Sequence, residues 1–115
     1  MPPPIIDPDG ARYRRMATRY AERTKLSPTK RCFVAIMIAI EEFELTLEEL
    51  QAQNRKKPIA EIRQQIMAFA NVVSGGSTYE IGRILKRAHT TVMHAVEKYG
   101  AQITSALGGK NERRK

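Results

Sequence analysis

Apolar residues recur at helical spacing along most of this chain, and no stretch shows the strict apolar–polar alternation of a strand. From Ala11 to Lys25, Tyr13, Met16, Ala17 and Tyr20 share one face, surrounded by Arg12, Arg14, Arg15, Arg19, Arg23 and Lys25. Ser27-Pro28 then reads as a helix start, a capping serine before a proline whose missing amide costs nothing there. That helix is expected to run to about Phe43, with Phe33, Ile36, Met37 and Ile40 on one face and Val34 and Ile38 elsewhere. A helix apolar on most sides is central. Either the N-terminal helix and the main bundle cover it together, or its extra face is a dimer contact.

Thr46 with Glu49 forms a capping box that opens a short helix to about Gln51. Pro58 to Val73 carries the longest stripe, Ile59, Ile62, Ile66, Phe69, Ala70 and Val73, with Arg63 and Gln64 off it and within reach of a phosphate. Ser74-Gly75-Gly76 ends it, glycine permitting the left-handed turn that closes a helix.

The segment Ser77 to Lys98 organises the rest. Ser77 and Glu80 make a second capping box, and Ile81, Ile84 and Leu85 form a narrow stripe. Lys86-Arg87-Ala88 breaks it, and Val92, Val96, Tyr99 and Ile103 resume it. His89, Thr90, Thr91, His94 and Lys98 lie on the other face of this second helix. Their hydrogen-bonding groups, with the threonine methyls, are what reading base edges in a major groove requires. The amides of Thr90 and Thr91, at a helix N-terminus, suit a phosphate. Two short helices joined by a tight basic corner are the helix-turn-helix plan. Gly82, inside the first of them, costs about 1 kcal/mol relative to alanine, which close approach of the second helix near Ala95 would explain.

The expected architecture is therefore all-α: a compact helical bundle containing a helix-turn-helix, preceded by a basic amphipathic helix. Residues 1–10, with four prolines, are expected to be a flexible arm. Residues 11–105 are expected to form one domain, the basic helix at 11–25 and the core at 27–105. Residues 106–115, ending Arg113-Arg114-Lys115, are expected to be a basic flexible tail.

Charge narrows the function. Lys+Arg number 20 against 12 Asp+Glu, a net charge of +8 over 115 residues, which calls for a polyanionic partner. The single Cys32 has no partner for an intramolecular disulfide and sits in an apolar run, as a buried reduced thiol does. The longest apolar run, Cys32 to Ile40, is too short to span a bilayer. The N-terminal prolines are no signal peptide, so a cytoplasmic protein is expected. The acidic cluster Glu41, Glu42, Glu44, Glu48 and Glu49 has no histidine or aspartate beside it and reads as a solvated face. His89 and His94, at about 100° per residue, stand about 140° apart around their helix and share no metal. Neither a phosphate-binding glycine loop nor a catalytic cysteine–histidine spacing is present, so no enzyme, cofactor or metal is expected.

Glu80-Ile81-Gly82, the basic corner and His89-Thr90-Thr91-Val92-Met93-His94-Ala95-Val96-Glu97-Lys98 together resemble the signature of the C-terminal DNA-binding domain of the bacterial replication initiator DnaA, with likeness extending back to about Ala35. The resemblance implies that Arg87, His89 and Thr90 approach bases or phosphates in the major groove. It places Arg55, Lys56 and Lys57 in a basic loop that reaches the minor groove, whose narrow A·T-rich form attracts such side chains. It also keeps open a weak contact of residues 11–25 with acidic lipid. Two departures stand out. The family has two glycines before the arginine, where this corner is one residue shorter and holds Lys86; and it has an aspartate where this chain has Ala88.

The implied function is sequence-specific binding of double-stranded DNA by a stand-alone domain without the initiator's ATPase module. Lys86, Arg87, His89, Thr90, Thr91 and His94 would serve the major groove. Arg55, Lys56, Lys57, Arg63 and Lys98 would serve the minor groove or phosphates. A transcriptional regulator leads; an accessory factor at replication-initiator sites is the alternative, either with a transcription or replication protein as further partner. A membrane-surface or protein-interaction module built on residues 11–25 is the reading from another class.

Overall fold

A computed structural model of the chain describes residues 10–26, 30–52 and 57–108. In chain order the helices are α1 (Ala11–Leu26), α2 (Arg31–Glu42), α3 (Leu47–Gln51), α4 (Lys57–Ser74), α5 (Thr78–Leu85) and α6 (His89–Ala106). Among the described residues there is no strand, and the fold is the all-α bundle that the periodicity predicts.

α4 is the hub, packed against α6 on one side and α2 on another. Its buried surface is accordingly wider than one stripe: Ile62, Ile66, Met67, Ala68, Phe69 and Ala70 are all buried, while Ile59 and Val73 at its ends are only partly covered. Gly75, at φ 71°, stops the helix as expected, with its N–H on the Asn71 carbonyl at 3.0 Å.

α2 is central, with α1 on one side and α4 and α5 on others. Ile36, Ile38, Ala39 and Ile40 are buried around its circumference, as is Phe43 just past its end, but Phe33 is 39% exposed, contrary to the expected face. Its start also differs from expectation. Lys30 sits in the left-handed region (φ 55°, ψ 40°) immediately before Arg31, so no continuous helix passes through it. The Ser27-Pro28 start lies outside the described residues. Cys32 is buried, and burial, with the Glu80 charge adding, pushes its thiol up to about 11.

α1 docks on α2 and also touches α6. Tyr13 and Met16 are buried and Ala17 and Tyr20 partly so, the face read from the sequence. The Tyr13 hydroxyl donates to Gln65 Oε1 at 2.9 Å inside the core. The arginines are not simply solvated. Arg12 is buried with its guanidinium 4.6 Å over the Phe43 ring, Arg15 reaches Glu42 at 2.6 Å, and Arg19 and Arg23 face Glu41. Glu41 and Glu42, expected as a solvated face, are thus the electrostatic counterpart of the basic helix.

Two boundaries shift. Gly10, assigned to the arm, is buried, and its carbonyl accepts from the Arg14 N–H at 3.1 Å. α6 runs beyond Ile103 to Ala106, and Ala106 and Leu107 pack against the core. No described helix is long and apolar enough to cross a membrane.

Candidate nucleic-acid interface

The corner between α5 and α6 is built from backbone hydrogen bonds. Ser77 Oγ accepts from the Glu80 N–H at 3.0 Å and starts α5. Only this half of the expected capping box forms, whereas Thr46 and Glu49 complete both halves at the start of α3. α5 buries Ile81 and Leu85 and then ends in a Schellman arrangement: the Lys86 N–H points to the Arg83 carbonyl at 3.4 Å and the Arg87 N–H to the Gly82 carbonyl at 2.8 Å. Such a turn needs a left-handed residue, and Lys86 supplies it at φ 58°, ψ 48°. A Cβ on Gly82 would stand 2.5 Å from the Arg87 carbonyl oxygen. The glycine therefore makes room for the corner itself, not for α6 at Ala95. Ala88 is the N-cap of α6, with extended backbone and no side-chain cap.

α6 is two-faced. Val92, Ala95 and Ile103 are buried in the bundle, and Thr90, Thr91, His94 and Lys98 are exposed, as the pattern predicts. The Thr91 amide closes the first turn on the Ala88 carbonyl at 3.0 Å, so of the two expected phosphate donors only the Thr90 amide fits. Lys98 Nζ lies 5.3 Å from the centre of the Tyr99 ring. His89 is half-buried because it stacks on Tyr79 of α5, ring centres 4.1 Å apart and planes 19° from parallel. Tyr79 was not singled out from the sequence; its one signal is a large aromatic in the first turn of a helix, beside a capping serine and off the apolar stripe.

Arg63 and Arg87 turn toward backbone carbonyls. Arg63 is buried, and its Nε donates to the Leu50 carbonyl at 2.9 Å. Burial, with the Arg87 charge second, lowers its guanidinium from the ordinary range. The Arg87 guanidinium donates to the Gln51 carbonyl at 3.2 Å, the Ala52 carbonyl at 2.6 Å and the Lys86 carbonyl at 3.0 Å. Two arginines remote in sequence thus converge on the carbonyl end of α3, where a helix presents partial negative charge. Gln51 completes the bracket by donating Nε2 to the Ile84 carbonyl at 2.8 Å. Arg63 and Arg87, expected against DNA, are internal ties between α3, α4 and the corner. Arg55 and Lys56 lie outside the described residues, as does the Lys57 side chain, although Lys57 begins α4. Lys86 is exposed beside the start of α6.

The family model described as the bacterial DnaA protein helix-turn-helix matches residues 35–98, from within α2 to Lys98 in the middle of α6. The chain belongs to that family. Its corner and recognition-type helix are therefore those of a DNA-binding domain. Similar curated proteins are the chromosomal replication initiator protein DnaA of Desulfotalea psychrophila, 41% identical over 56 residues, covering 49% of this chain and 12% of that protein; of Chloroflexus aurantiacus, 34% over 71 residues, covering 61% and 15%; and of Flavobacterium psychrophilum, 38% over 64 residues, covering 55% and 13%. The chain thus spans well under a fifth of the length of these relatives. No solved structure matches it. Among the described residues, no three His, Cys, Asp or Glu side chains are grouped to hold a metal ion.

Proposed function

We propose that this chain recognises a specific sequence in double-stranded DNA by laying the N-terminal end of α6 in the major groove. The observation that carries the reading is the division of α6: Val92 and Ala95 are locked in the core while Thr90, Thr91 and His94 project outward from the same turns. A rigid helix holding polar side chains in fixed register is what base-edge readout needs. His89 and Thr90 read bases, with Thr91 and His94 beside them. Lys86 and Lys98 meet phosphates, which position the helix without specifying sequence. Arg63 and Arg87 act indirectly, by fixing α3 against the corner. Arg55, Lys56 and Lys57 keep the minor-groove and phosphate role that the family resemblance assigns. The lipid reading of α1 gains no support, since Arg15, Arg19 and Arg23 face Glu41 and Glu42.

The biological role we propose is transcriptional regulation from such sites. A second reading, action at replication-initiator sites, is favoured by the name that the similar proteins carry. Genome-wide mapping of bound sites, followed by binding to the recovered duplex and to anionic vesicles across a salt series, tests both levels. Discrete sites with one shared motif and a steep salt dependence support the reading. Sites at promoters mean regulation and sites clustered at an origin mean replication; tighter binding to vesicles than to duplex overturns it.

A further inference from the structure

We infer that Tyr79 is a positioning residue for His89: its ring holds the imidazole in the orientation from which α6 reads DNA. The inference rests on the DNA reading above and adds a determinant outside the recognition helix. Tyr79 lies in the first turn of α5 and His89 is the first residue of α6, so the stack bridges the two halves of the helix-turn-helix at its outer rim. Tyr79 is 62% exposed, so core packing does not account for its size.

The geometry suits the task. An imidazole makes hydrogen bonds in the plane of its ring, through Nδ1 and Nε2. A partner stacked on one face at 4.1 Å does not itself cover the ring edge that carries both nitrogens, and it restrains the rotation about the Cβ–Cγ bond that would misdirect them. Ala88 occupies the N-cap, so no capping side chain stands before His89 to orient its ring. The Tyr79 ring is the contact that does so. The tyrosine hydroxyl plays no part in this, so phenylalanine is expected to serve as well.

The test uses the full chain, with a duplex selected from random sequence and a scrambled duplex as probes. In the free protein, ring-current shielding by Tyr79 displaces the His89 Hδ2 and Hε1 resonances; Tyr79→Ala abolishes the displacement and Tyr79→Phe preserves it, with the melting temperature reporting that both variants fold. Tyr79→Ala is expected to weaken binding to the selected duplex by about threefold to tenfold, from the strength of such stacks, and to leave the scrambled duplex nearly unchanged. Tyr79→Phe restores the affinity. In a His89→Ala background, Tyr79→Ala is expected to cause no further loss. Losses that multiply in the double variant show that Tyr79 contacts DNA independently and overturn the positioning role, as do unshifted His89 resonances in Tyr79→Ala. A wild-type chain that fails to separate selected from scrambled duplex overturns the DNA reading itself, and the positioning role with it.

Discussion

The Arg87 backbone N–H donates to the Gly82 carbonyl at 2.8 Å, and the Arg87 carbonyl oxygen lies 2.5 Å from where a Cβ on residue 82 would stand. The two residues close the corner from both sides, one by a bond and one by leaving space. Gly82→Ala gains about 1 kcal/mol of helix propensity but must push a backbone carbonyl, the kind of overpacking that costs about 1–3 kcal/mol. A net loss of stability in urea melts, with weaker binding to the selected duplex, is expected. A variant as stable as wild type would show that the corner yields easily and does not define the position of α6.

Lys86 occupies a left-handed position that glycine fills without strain. Lys86→Gly is expected to stabilise the fold by about 1 kcal/mol, raising the melting temperature by several degrees. The same change removes an exposed cation, so the slope of log affinity against log salt is expected to flatten by about 0.9. Stability and binding thus move in opposite directions, and a variant in which both fell would contradict the assignment.

Arg87→Ala is expected to change stability and not the salt slope. Its guanidinium is bonded to the carbonyls of Gln51, Ala52 and Lys86, and charged hydrogen bonds contribute about 1.5–3 kcal/mol. Stability falls, selected-site affinity falls with it, and the salt slope stays at the wild-type value. A slope flattened as much as by Lys86→Gly would place the guanidinium on a phosphate.

Much of the bundle was legible in the residue pattern. The buried face of α1, the capping box of Thr46 and Glu49, the stop at Gly75 and the two-faced α6 all follow from spacing within one helix, where side chains three and four apart are neighbours. The partners across helices were not. Arg63 and Arg87 read as free cations because the carbonyls they tie lie at the end of α3, brought near only by packing. The same holds for Glu41 and Glu42 under the α1 arginines and for Tyr79 on His89. Lys30 was passed over because a lysine carries no sequence sign of a left-handed backbone.

Ala88 is an N-cap without a capping side chain. Ala88→Ser and Ala88→Asp are each expected to add about 1 kcal/mol of stability, since either oxygen can accept from the first-turn amides. Only the aspartate brings a carboxylate acceptor, the group the wider family presents there. Motif selection from random duplex is therefore expected to show a changed base at one position for Ala88→Asp and an unchanged motif for Ala88→Ser. Identical motifs for all three proteins would remove residue 88 from the reading surface.

The central claim, that the start of α6 reads sequence, is tested most directly by comparing His89→Ala and Thr90→Ala with wild type on selected and random duplexes at one salt concentration. Each substitution is expected to cost about 1–3 kcal/mol on the selected site and far less on random duplex, where phosphate contacts remain. Equal losses on both duplexes would contradict the account and make the protein a non-specific DNA-coating factor.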